Sequence, residues 1–177
     1  MKKGILAMAA GGILLAASLA GGAPQTTYDL TKAAAGDGWT VVNRAATVVE
    51  EGGRRFLRLD ERAGDGQVWL KGVSFAAGTI EFDVRGKDEF QRSFVGAAFH
   101  GKDDRTFEAV YFRPFNFKAD DPARKDHAVQ YVSHRDDTWQ RLRAEKPGQY
   151  ENHVSPVPDP NGWFHVRIVV EHPKVSV

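Results

Sequence analysis

The stretch from Gly78 to Phe117 constrains the fold more than any other part of this 177-residue chain. It reads GTIEFDVRG, KDEFQR, SFVGAAFHG, KDDR and TFEAVYFRPFNF, three apolar runs joined by two short charged connections. Ile80, Phe82 and Val84 alternate with Glu81, Asp83 and Arg85, the period of a strand with one buried face. The next two runs are apolar at nearly every position, the pattern of strands covered on both sides. Connections this short join antiparallel neighbours, so the stretch predicts a three-strand meander in the middle of a β-sandwich.

Charge and cysteine content narrow the rest. Lys plus Arg number 24 against 23 Asp plus Glu, with no long basic block, which argues against nucleic acid as a partner. Cysteine is absent, so disulfides, thiolate metal sites and a cysteine nucleophile are excluded. At the N-terminus Lys2 and Lys3 precede an apolar run from Ile5 to Leu19, and Ser18-Leu19-Ala20 has small residues where a signal peptidase reads. This pattern predicts a signal peptide over residues 1–20. A retained anchor is the weaker reading, because the run is short and rich in Ala and Gly. The expected location is therefore secreted or periplasmic, with no membrane span after cleavage.

Residues 21–27 read as a linker and 28–177 as one β-sandwich domain. Tyr28 to Ala35 reads as a first strand or a turn. Trp39 to Val42 and Gln67 to Leu70 are short strands. Thr47 to Glu50 and Arg54 to Asp60 flank Glu51-Gly52-Gly53, a hairpin signal. His127 to Ser133 is a strand. From His134 to Pro160 the chain is polar and Pro-containing, a long loop with one helical turn near Trp139 to Ala144. Phe164, Val166, Ile168 and Val170 alternate with Trp163, His165 and Arg167 in the clearest amphipathic strand. No sustained helical period occurs, so the class is all-β. After Glu171-His172-Pro173-Lys174, only Val175-Ser176-Val177 remain to begin another strand. The expectation is a sandwich lacking its last strand or strands, with unpaired edges that invite self-association.

The succession GTIEFDVRG, FVGAAFHG, FEAVYFRPFNF, HAVQY and WFHVRIVV resembles the concanavalin A-like lectin/glucanase superfamily. Within it the chain is most similar to bacterial secreted laminin-G-like domains and 3-keto-disaccharide hydrolase-like domains. The resemblance spans about residues 28–177 and implies an antiparallel jelly-roll sandwich, with a carbohydrate site on the concave sheet or its rim. Laminarinase-type members of the superfamily carry E-x-D-x-E or E-x-D-x-x-E on a strand. Glu81 and Asp83 match the first two positions. Residue 85 is Arg and residue 86 is Gly, so the acid/base carboxyl is missing and that two-carboxylate mechanism is disfavoured.

Another polar set suits ligand binding better. Tyr111, Arg113, Asn116, Gln130, His165 and Arg167 supply planar hydrogen-bonding groups on strands or at their rim, and Trp139 in the polar loop supplies a stacking ring. A buried Arg113 needs a partner, for which Glu108 or Glu81 are the candidates. The competing reading is a structural ion-pair network. The histidines show no ligand spacing such as H-x-H or H-E-x-x-H, so no zinc site is expected. Asp103-Asp104, Asp120-Asp121 and Asp136-Asp137 are loop acids that either bind Ca²⁺ or are solvated turn residues, the reading favoured here. No cofactor is expected.

These features combine into a non-enzymatic carbohydrate-recognition or adhesion module that binds a glycan. The alternative is a glycoside-acting hydrolase of the 3-keto-disaccharide type, with Glu81, Glu108 or His165 as acid or base. A third reading is a structural, protein-binding sandwich.

Overall fold

The computed structural model describes residues 25–177. The signal peptide and most of the linker expected over 1–27 lie outside the described residues, and residues 25–27 carry no regular structure. The chain is built of antiparallel sheets, as the strand periodicity requires.

Eleven strands are described: β1 (Trp39–Val42), β2 (Ala46–Glu51), β3 (Arg54–Leu59), β4 (Gln67–Leu70), β5 (Gly78–Arg85), β6 (Val95–Phe99), β7 (Phe107–Phe112), β8 (Val129–His134), β9 (Glu151–Asn152), β10 (Trp163–Glu171) and β11 (Lys174–Ser176). Three short α-helices interrupt them, α1 (Pro114–Phe117), α2 (Pro122–Lys125) and α3 (Trp139–Glu145). The helical turn expected near Trp139 is α3, capped by the Thr138 side chain at its N-terminus.

The central meander is not a single sheet. β5 pairs along its length with β10, from Trp163 opposite Arg85 to Val170 opposite Gly78. β6 and β7 form a hairpin in a separate sheet of order β6-β7-β8-β9. The charged connection after β5 therefore crosses between sheets. The reason lies in the two burial patterns. β5 has one charged face and suits an outer sheet, whereas β6 and β7 have no face fit for water.

Residue alternation in β7 shows how both of its faces are used. Val110 and Phe112 pack with Phe99 against Ile80, Phe82, Val84, Val166, Ile168 and Val170 of the β5–β10 sheet. Ala109, with Ala98 and Val132, faces the other way onto Leu30, Trp39, Leu57, Val68, Trp69 and Leu70. Phe99, Val110 and Ile168 are almost completely buried. Each such side chain stabilises the fold by about 1.5–3 kcal/mol relative to exposure. The small residues Gly96, Ala98 and Ala109 let this second layer approach the sheet closely.

The N-terminal layer decides one choice that the sequence leaves open, strand or turn, in favour of the turn. Leu30–Ala35 is a 3₁₀ helix and not a strand, because the Asp29 side chain accepts from the Thr31 backbone N–H at 2.9 Å and starts the turn. The β2–β3 hairpin closes as expected. Gly52 and Gly53 both have positive φ (59° and 75°), the backbone of a type I′ turn that glycine adopts without strain. β11 pairs with Val169, Val170 and Glu171 of β10.

Candidate functional site

The expected ligand-binding residues do not converge. Tyr111, Arg113, Asn116 and Gln130 form one cluster, His165 and Arg167 lie on a different sheet, and Trp139 lies on α3.

The first cluster is buried and internally satisfied. Gln130 is 1% exposed and donates to the Tyr131 and Tyr150 carbonyls at 2.9 and 3.0 Å. Its side-chain oxygen accepts from Arg113 at 3.4 Å. Arg113 also donates to the His127 carbonyl at 2.8 Å and to the Tyr111 hydroxyl at 2.9 Å. Neither Glu108 nor Glu81 reaches it. Burial pulls the Arg113 guanidinium below its usual pKa and pushes the Tyr111 phenol up. Asn116 belongs to α1 and not to a strand rim, since Pro114 begins a helical turn there. It donates to the same His127 carbonyl at 3.2 Å and accepts from Arg124 at 3.2 Å. These groups hold the α1–α2 segment against β8, and their hydrogen-bonding capacity is spent on the protein itself. His127 precedes the strand, which begins at Val129.

On the β5–β10 sheet the polar faces pair across the strands. His165 Nδ1 lies 3.0 Å from Asp83, and Arg167 lies 3.2 Å from Glu81. Both pairs stand on the outward face, opposite the core. Glu81 and His165 are thus in cross-strand ion pairs, while Glu108 lies between the sheets, accepting a hydrogen bond from the Tyr131 hydroxyl at 3.0 Å. Burial first, and then the Glu108 charge, pushes the Tyr131 phenol far up, so it remains a donor. Trp139 is 39% exposed, with the Arg143 guanidinium 4.9 Å above its ring. The loop acids act locally: Asp103 accepts from the Arg105 N–H at 2.8 Å, and Asp121 caps α2.

The most developed concavity lies elsewhere. A cleft of about 620 Å³ opens where the β2–β3 hairpin meets the end of β5 and the start of β6. Phe56 and Trp163 meet edge-to-face on its wall at 4.9 Å. Arg85 lies 5.1 Å from the centroid of the Trp163 ring and is held by Glu51 through two hydrogen bonds of 3.0 and 3.1 Å. Phe94, 52% exposed, stands at the rim and packs its edge against Phe115.

Charge in the cleft is lopsided. The lining holds Arg44, Arg58, Arg62, Arg85, Lys87 and Arg92 against Asp60, Glu61 and Asp83. Arg62 pairs with Asp60, and Lys87 with Glu61. Those hydrogen bonds hold both carboxyls below their usual pKa. Among the described residues, neither Arg92 nor Arg44 has a carboxylate within salt-bridge distance, though their charges help lower the Glu61 and Asp60 pKa, and Arg44 bonds the carbonyls of Asn43 and Gly64. Sequence reasoning missed this site because its residues come from many separate segments, from Leu30 to Trp163. Asp83 and Arg85 in it are singled out by the strand pattern, Arg85 as the cation standing where a hydrolase needs a carboxyl.

Comparison with protein-family models, curated proteins and solved structures returns no match. Among the described residues no helix is long and apolar enough to cross a membrane.

Proposed function

We propose that this protein is a carbohydrate-binding module whose ligand is an acidic saccharide seated in the cleft beside Phe94. The jelly-roll topology of the concanavalin A-like proteins and an export route to the periplasm or beyond belong to the same reading. The observation that carries it is the presence of two guanidiniums with no carboxylate within salt-bridge distance, Arg44 and Arg92, in a cleft walled by aromatic rings. An aromatic ring covers the C–H face of a sugar, and a guanidinium pairs with a carboxylate in a planar, bidentate fashion. A volume of about 620 Å³ lies within the range of small-ligand sites.

Catalysis is the less favoured reading. A general acid needs a carboxyl raised toward neutral pH, and Asp60 and Glu61 are shifted the other way. Glu81 and His165 do not line the cleft and are engaged by Arg167 and Asp83.

Isothermal titration with a short oligogalacturonide and with a neutral oligosaccharide of equal length tests the proposal. The parent protein should bind the acidic ligand selectively. Arg92→Ala should weaken binding by about ten- to a hundred-fold, the loss of one charged hydrogen bond of about 1.5–3 kcal/mol. Phe94→Ala should weaken it as well. Equal affinity for both saccharides, or an Arg92→Ala protein that binds as the parent does, overturns the assignment.

A further inference from the structure

One end of the sandwich is closed by three side chains from distant parts of the sequence. His100 follows β6, Glu108 sits in β7, and His172 lies in the turn between β10 and β11. His100 Nδ1 is 2.9 Å from Glu108 Oε1 and 3.3 Å from His172 Nε2. His172 Nε2 is 3.6 Å from the same Glu108 oxygen.

The tautomer of His100 decides what these distances mean. Its Nε2 lies 2.9 Å from the Ala76 carbonyl oxygen, which only accepts, so Nε2 carries the hydrogen. Nδ1 of the neutral ring then presents a lone pair. That lone pair faces a carboxylate oxygen, which also only accepts. The other Glu108 oxygen takes the Tyr131 hydroxyl at 3.0 Å, which fixes the carboxylate in place. The His100 and Glu108 side chains are only 6% and 15% exposed, so water does little to separate them. Electron-rich atoms brought together out of water are relieved by a proton or a metal ion between them.

We propose that His100 Nδ1, Glu108 Oε1 and His172 Nε2 bind a zinc ion. Separations of 2.9, 3.3 and 3.6 Å define a circle of radius about 1.9 Å. An ion held about 2.0–2.1 Å from all three atoms stands about 0.7 Å out of their plane, as it does above one face of a ligand tetrahedron. Two imidazoles and one carboxylate suit zinc better than Ca²⁺ or Mg²⁺, which take oxygen ligands. The surrounding bonds also match what zinc ligands need: His100 gives its second N–H to a backbone carbonyl, and Glu108 is held by a phenol. His172 is 54% exposed, so the fourth position faces solvent. The ion ties the β10–β11 turn to the end of the β6–β7 hairpin, joining the two sheets. Chain separation hides this trio from spacing rules, which look for ligands within one segment.

The test uses untagged full-length protein, stripped with a chelator and titrated with zinc chloride at pH 7. One zinc per chain should bind at micromolar or lower concentration and raise the unfolding temperature, and cobalt should give the visible absorption of a four-coordinate ion. His172→Ala, at an exposed turn, should lose at least a hundred-fold in affinity, and Tyr131→Phe about ten-fold. His153→Ala should bind as the parent does. No binding at a hundred-fold molar excess of zinc overturns the proposal, as does unchanged affinity in His172→Ala.

Discussion

Replacing Glu151 with Ala probes the charge network that anchors the long polar segment after β8. The Glu151 carboxylate accepts from Arg143 of α3 at 2.8 and 2.6 Å, and its side chain is 3% exposed. His127 Nδ1 lies 2.9 Å from it, though not in a direction that makes a hydrogen bond. Arg113, the residue that precedes α1, is attracted by Glu151 and repelled by Arg143. One carboxylate therefore offsets two guanidiniums, of which Arg113 is buried and Arg143 is 33% exposed. Breaking a buried pair from one side costs about 3–5 kcal/mol, because the stranded cation stays desolvated. Arg143 can turn partly to water, which places Glu151→Ala near the lower end, about 3 kcal/mol. For a chain of this size that is a fall of about 6–12 °C in Tm. Urea unfolding followed by tryptophan fluorescence at pH 7 should show a lower midpoint at constant slope. A double-mutant cycle with Arg143→Ala should return a large coupling. A loss below about 1 kcal/mol would place the pair with ordinary surface ion pairs and refute the reasoning.

Two further stability effects follow from local geometry. A Cβ on Gly96 would stand 2.1 Å from the Val110 carbonyl oxygen and 2.6 Å from the Tyr111 Cα, both backbone atoms of the paired strand. Gly96→Ala should therefore cost more than the roughly 1–3 kcal/mol usual for overpacking, and a Tm within about 2 °C of the parent would contradict it. The Thr31 side-chain hydrogen bond, the largest influence, holds the Asp29 carboxyl below its ordinary 3.8, with burial opposing and the Thr31 N–H and Arg55 assisting. A depressed carboxyl stabilises the fold above its unfolded pKa and loses that contribution as pH falls through the folded value. Asp29→Ala should thus cost about 1 kcal/mol at pH 7, with a smaller deficit well below the ordinary carboxylate range, at about pH 2. Equal deficits at both pH values, measured by urea titration, would contradict that role.

What the amino-acid sequence alone determined is local. Alternation in Ile80 to Val84 and in Phe164 to Val170 defined two strands with one wet face each, because side chains on a strand point to opposite sides. Gly52-Gly53 set a hairpin because only a backbone with positive φ at both positions turns that tightly. The apolar run of β7 announced a sheet covered on both faces, and the packing of Val110 and Ala109 on opposite sides agrees.

Partnership between distant segments was decided only by the tertiary structure. The pairing of β5 with β10 joins strands that lie far apart in the chain, and nothing in β5 itself distinguishes that neighbour from β6. The same holds for the polar residues. Arg113 and Gln130 meet in the interior, while His165 and Arg167 face outward, although all four lie on or just beyond strands in the sequence pattern. The Arg44–Arg92 cleft and the His100–Glu108–His172 trio each draw on several segments. Periodicity shows which face of a strand a residue occupies. It carries no information about which other strand stands across from that face, and a binding site is made of that second relation.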